Sequence, residues 1–182
     1  MSKIKIPIDS LSGHSLVIRS KHWPPPELDP TDPANNKAAA PDCHAVFTTD
    51  AAAGYSPELF SRMPAGELYL AGLNSSTYPL PQIANERVID PKAITILKDT
   101  ATRLLGDDIE ILREAVCWRP VGRKGLPIIT EMEETMGQEG RDVFVAAGHG
   151  AWGISLSLGT GWCVAGMVDG KDMSEYVGRL GL

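Results

Sequence analysis

The stretch Val143-Phe-Val-Ala-Ala-Gly148-His-Gly-Ala-Trp-Gly153-Ile-Ser-Leu-Ser-Leu-Gly-Thr-Gly161 joins two apolar segments through three closely spaced glycines. Val143–Ala147 is short, apolar and β-branched at two positions, which predicts a buried strand. The segment from Gly153 to about Val168 carries the length and composition of a helix. Between them Gly148, Gly150 and Gly153 allow a sharp turn and close helix–strand packing. His149 and Trp152 are large side chains in a turn otherwise built from Gly and Ala, and packing alone does not call for them. A helix start beside such a turn has free N–H groups and favours electron-rich partners.

Gly148-His-Gly-Ala-Trp-Gly153 also fits G-x-G-x-x-G after a strand and before a helix, the fingerprint of a dinucleotide-binding βαβ unit. That unit requires a second parallel strand ending in an acid. The tail after Val168 shows no convincing strand, and the motif sits at the last helix rather than the first. The fingerprint therefore lacks its context, and no such strand is expected after the helix.

Upstream, Ile4, Ile6 and Ile8 alternate with other residues and Leu16-Val-Ile18 is a second apolar run, so two extended segments are expected. From Trp23 to Asp42 come Pro24, Pro25, Pro26, Pro30, Pro33 and Pro41. Proline removes donors and fixes φ, so the stretch is expected to cross the surface without regular structure. His44–Thr49 and Glu67–Leu73 are strand candidates, with Tyr55–Pro64 a hairpin connection or irregular strand and Asn74–Pro81 a polar loop. Pro91–Leu105 is the clearest helix. Asp90 suits its N-cap, Pro91 its first position and Gly106 its end. Ile94, Leu97, Ala101, Leu104 and Leu105 form its apolar stripe. Strands follow at Ile109–Val116, leading into Cys117-Trp-Arg-Pro120, and at Leu126–Thr130. The fold class is α+β: a mostly antiparallel sheet with one packed helix, then a C-terminal strand-turn-helix. The expected division is residues 1–130, with the proline-rich insertion at about 23–42, and residues 131–182.

The formal charge of −6 argues against nucleic acid or an anionic membrane as main partner. No apolar run approaches the roughly 20 residues that span a bilayer, so no membrane span is expected. The N-terminus has no signal-peptide pattern. Cys43, Cys117 and Cys163 are far apart, without zinc spacing, which speaks for reduced thiols and a cytoplasmic setting. No Ser/His/Asp order or carboxylate pair points to hydrolysis.

Cys117-Trp-Arg-Pro-Val121, Leu126-Pro-Ile-Ile129 and Val143 through Gly161 together resemble the closing segment of the D-amino-acid oxidase-like family of FAD-dependent oxidoreductases, which includes glycine and sarcosine oxidases. In that family an Arg-Pro element and a proline-apolar strand precede a V-x-x-A-x-G-H-x-x-x-G-I turn against the flavin. Gly13–Arg19, His44–Phe47, Tyr55–Arg62 and Glu67–Asn74 are similar to a fungal-type branch of such proteins. The resemblance covers most of the chain outside the proline-rich stretch.

It implies FAD as cofactor and an amine or amino acid as small-molecule substrate. In such enzymes a hydride would pass from a C–H beside an amine or hydroxyl to the flavin, with the protein orienting the substrate and tuning the cofactor. Gly148, His149, Gly150, Trp152, Gly153 and Ile154 would be the cofactor-binding residues. The resemblance offers Arg119 as carboxylate ligand through its planar fork; a surface salt bridge is its other reading. His149 is either a flavin contact or a core histidine satisfied by backbone. Arg123 and Lys124 read as solvated loop charges. No residue is assigned a catalytic role and no metal site is expected.

The Gly-rich turn with which family members begin has no counterpart before Lys3. The expectation is a C-terminal portion that does not hold FAD tightly alone, with apolar surface left for a partner chain. The alternative is a truncated, non-catalytic remnant acting as a protein-interaction module.

Overall fold

The computed structural model describes residues 5–23, 44–49, 51–62, 65–132 and 143–182. The expectation for the proline-rich stretch falls, beyond Trp23, outside the described residues. The chain divides by compactness into two units, one of residues 12–75 and 79–117, the other of residues 1–11, 76–78 and 118–182. This is not the 1–130 and 131–182 division read from the sequence; the end of β5 and all of β6 (below) fall with the C-terminal unit.

The architecture is α+β. Strands β1 (Ile8–Ser20), β2 (Ala45–Phe47), β3 (Glu58–Arg62), β4 (Glu67–Ser75) and β5 (Ile109–Gly122) form one sheet in the order β2-β3-β4-β1-β5. The pairs β2–β3, β3–β4 and β1–β4 are antiparallel. Helix α1 (Pro91–Leu105) belongs to the same unit. Its start follows the expected chemistry: Asp90 Oδ1 accepts from Lys92 N at 2.9 Å, and Pro91 stands where a helix has no use for its N–H. Gly106 ends it at φ 83°, its N–H donating to Thr102 O.

The core of this unit is Leu16, Ile18, Leu68 and Leu70 from the sheet against Ile94, Leu97 and Ala101 from α1. Leu16 faces Leu70 and Ile18 faces Leu68 across β1 and β4, so alternation puts all four on one face. Each large side chain here stabilises the fold by about 1.5–3 kcal/mol relative to exposure. Leu104, assigned to the helix stripe, is instead 41% exposed, because ten residues at 100° each turn it away from Ile94. Between His14↔Leu73 and Leu16↔Leu70 the register slips by one residue on β4. Gly72 sits in this bulge at φ 102°, and a side chain there would strike Ser56 O.

Several element expectations are corrected. One strand, β1, replaces the two expected between Ile4 and Ile18, starting at Ile8. Tyr55–Pro64 contains a regular strand, β3, because Leu59 and Phe60 pair with Leu70 and Tyr69. Asn74 and Ser75 belong to β4 rather than to the following loop. β5 runs on through Cys117-Trp118-Arg119-Pro120; it is an edge strand, where a proline without an N–H is tolerated.

In the other unit β6 (Ile128–Met132) and β7 (Val143–Ala147) pair antiparallel, followed by a 3-10 turn Gly150–Trp152, α2 (Gly153–Val168) and α3 (Ser174–Val177). Among the described residues no strand follows α2, so the βαβ reading of the glycine motif is excluded. A small core forms from Ile129, Cys163, Met173 and Val177. Gly166 lies close against it: a Cβ there would fall 2.5 Å from Met173 Sδ, so a larger residue would require that side chain to move. The expected burial of β7 is not found: none of its residues is buried, and Val143 is 51% exposed. The strand has β6 on one edge and no other strand partner among the described residues. One helix departs from the expectation that no apolar run approaches membrane-spanning length. Gly150–Val168 is a 19-residue helical stretch long and apolar enough to cross a bilayer, by length and composition only. Interspersed Ser, Thr and Gly break its apolar runs while leaving it free of charge.

Candidate functional site

The glycine turn is fixed from beneath by the end of β5. Gly122 N donates to Gly148 O at 3.1 Å, and Val121 forms an isolated antiparallel bridge with His149. Gly148 has φ 77°, and a Cβ on it would lie 2.9 Å from Gly122 N and 3.2 Å from its Cα. Both facts demand glycine. Gly150 also has a positive φ, 58°. The chain then enters the 3-10 turn, with Trp152 N donating to His149 O, and continues into α2.

The turn opens onto a groove of about 520 Å³ along α2, lined by Ala146, His149, Gly153, Ser157, Thr160, Gly161, Val164 and Ala165. Gly153, Ser157, Gly161 and Ala165 are spaced four apart, so one helix face carries only small residues. A Cβ at Gly161 would meet nothing within 4 Å, and one at Gly153 only the His149 Cβ. No side chain caps the turn or α2, and neither has an acidic residue in its first turn. The groove is therefore uncharged, open and headed by the positive end of a helix. His149 Nε2 lies 3.0 Å from Thr160 Oγ1, so this histidine is satisfied by a side chain rather than by backbone.

Of the residues predicted from sequence, His149 and Gly153 line the groove, and Gly148 and Gly150 shape its head. Trp152 and Ile154 are 67% and 92% exposed and do not line it. Arg119 is half-buried on β5, two residues before Val121, engaged in interactions of its own and outside the groove lining. Its neighbour Trp118 stacks on Tyr78 with ring centroids 6.0 Å apart. Ala146, Ser157, Thr160, Gly161, Val164 and Ala165 were not predicted. The spacing of small residues after Gly153 was the available signal.

An FAD group is implied by the sequence resemblance, and the donor chemistry fits it. A planar, acceptor-rich ring needs a flat approach without side-chain obstruction and N–H groups rather than carboxylates at its edge. The small-residue groove and the uncapped, acid-free helix start supply both.

Glycine oxidase from Geobacillus kaustophilus superposes with a TM-score of 0.68 at 22% identity, over 98% of this chain and 40% of that one. Iminodiacetate oxidase from Chelativorans sp. BNC1 gives 0.64 at 14% identity, with the same two coverages of 98% and 40%. The architecture is thus the one found in part of these oxidases. Residues 1–167 match the family model described as FAD dependent oxidoreductase, and the chain belongs to that family. A Schizosaccharomyces pombe protein named "putative oxidoreductase" is 30% identical over 130 residues, 69% of this chain and 31% of that protein. The chain therefore spans well under half the length of the proteins it matches.

Proposed function

We propose that these residues form the flavin-facing turn and part of the substrate-side sheet of an amine or amino-acid oxidase. The observation that carries the reading is the Gly148–Gly153 turn, opening with an uncapped helix start onto an uncharged groove of small residues. FAD, when bound, accepts a hydride from a carbon beside an amine. The chain's own part is to present backbone N–H groups of the turn and of the start of α2, to keep the groove clear at Gly153 and Gly161, and to hold His149 in place through Thr160. Arg119 is the proposed carboxylate ligand, through a bidentate contact.

Names of the neighbours support amine-bearing substrates: glycine and iminodiacetate oxidases. The free thiols of Cys117 and Cys163 agree with a cytoplasmic location. The solved neighbours extend well beyond the matched 40%, and we assign the cover of the exposed α2 face to polypeptide corresponding to that remainder, supplied by a partner chain or a longer form of this one. Without it, FAD binding by the 182 residues is weak but saturable.

Titrating purified chain with FAD and following flavin fluorescence and the visible spectrum tests the reading. Saturable quenching with a dissociation constant above micromolar, lost in Gly153→Leu, is the expected result. A flavin spectrum unaffected at every protein concentration would overturn it. Amine or amino-acid addition under anaerobic conditions then tests the substrate class by bleaching of the visible band.

A further inference from the structure

The turn between β5 and β6 and the last residues of the chain meet at a second concavity in the C-terminal unit. It measures about 230 Å³ and is lined by Pro7, Gly122, Arg123, Lys124, Leu126, Pro127, Ile128, Arg179 and Gly181. Its floor is apolar, yet it gathers three cations in a chain of net charge −6.

The three are not equivalent. Arg123 Nε and Nη2 both contact the Asp9 carboxylate, at 3.1–3.2 Å, so its charge is answered. Among the described residues Lys124 and Arg179 make no ion pair or hydrogen bond, and no acidic side chain is among the lining residues. They lie far apart in sequence and are brought together by fixed backbone. Gly125 N donates to Gly122 O, Arg123 N to Pro7 O and Ile129 N to Leu180 O. Gly122 admits no side chain, since a Cβ would collide with Leu126 O. Two cations without a counter-charge among the described residues, beside an apolar lining, present an anion site with an apolar selectivity filter.

We propose that this concavity binds a small monocarboxylate with a branched or aromatic body, its carboxylate held by Arg179 and Lys124. Size agrees, because an apolar cavity of roughly 150 Å³ admits benzene. The Arg179 fork matches two carboxylate oxygens, with Lys124 as a point charge beside it. Bare phosphate would leave the Leu126–Ile128 floor uncovered. The assignment does not depend on the flavin reading, since it uses neither the glycine turn's ligand nor the α2 groove.

The test is an amide-shift titration of the 15N-labelled chain with 3-methylbutanoate, with 3-methylbutanamide and inorganic phosphate as separate arms. Saturable shifts are expected at Gly122, Lys124, Ile128 and Gly181, with the carboxylate bound roughly tenfold or more tighter than either comparison ligand. K124Q/R179Q should remove that advantage while preserving amide dispersion, because both residues are exposed. Equal binding of the neutral amide, equal binding of phosphate, shifts unchanged in the double variant, or no saturable shift would each overturn the proposal.

Discussion

His149 Nε2 and Thr160 Oγ1, eleven residues apart, lie 3.0 Å from each other and tie the glycine turn to the middle of α2. The turn is otherwise held by backbone contacts to the end of β5, so this bridge is the side-chain link between the turn and the helix it opens.

Thr160→Val keeps the shape of the side chain and removes the hydroxyl. Loss of one hydrogen bond costs about 1 kcal/mol. Amide exchange at Gly150–Trp152 should therefore accelerate several-fold, the His149 ring nitrogen shifts should change, and FAD quenching should weaken. Thr160→Ser should restore all three. Exchange rates and ring shifts equal to wild type in the valine variant would show that the bridge does not hold the turn.

Two glycine substitutions separate strain from freedom. Gly148→Ala meets both a φ of 77° and Gly122 N at 2.9 Å, so it should destabilise the C-terminal unit by about 2 kcal/mol or more. Gly159→Ala lies inside α2 with nothing within 4 Å of the added carbon. It should stabilise by about 0.5–1 kcal/mol through helix propensity. Denaturant midpoints read both, and a shared sign would contradict the argument.

The helix signals of α1 were local, and therefore legible: Asp90, Pro91 and Gly106 each act on their own backbone. The turn at Gly148–Gly153 was legible for the same reason. β3 was not, because Glu58-Leu-Phe-Ser-Arg62 carries weak strand propensity of its own and is held as a strand by hairpin pairing with Glu67–Ala71. The exposure of β7 was invisible because an apolar pentapeptide reads the same whether its faces are covered or open. Thr160 was missed because an i to i+11 contact exists only once the turn folds back on the helix. Arg123 read as a solvated charge because its partner, Asp9, lies at the far end of the chain.

His14 makes stability depend on pH. It is 3% exposed on β1, and its Nε2 accepts the Asp90 N–H at 3.2 Å. Burial lowers its pKa from 6.5, and the Asp90 carboxylate opposes this only in part. The unfolded chain thus takes up the proton first. His14 contributes its full stability above about pH 6.5 and loses it as pH falls toward the lower folded-state value. Urea midpoints should drop between pH 7 and pH 5, and His14→Gln, whose amide oxygen can accept from Asp90, should flatten that drop. Identical pH slopes for the two proteins would remove His14 from the account.

Ile154 is 92% exposed, Leu158 88% and Trp162 55%, four residues apart along one face of α2. A helix apolar on every side is ordinarily buried, so this exposed face is prone to association. Ile154→Glu with Leu158→Lys removes the apolar stripe and adds a favourable i to i+4 pair, with the acid near the helix start. Little buried area is lost, so the unfolding free energy should stay within about 0.5 kcal/mol while light scattering shows less self-association. Trp162→Ala should behave differently, because its ring meets Tyr176 edge-on at 4.9 Å. Loss of that aromatic contact costs about 0.5–1.5 kcal/mol beyond the area exposed. If the Glu/Lys pair instead unfolds the chain, the face is already covered by a contact on which the fold depends, and the assignment of an outside polypeptide as its cover fails.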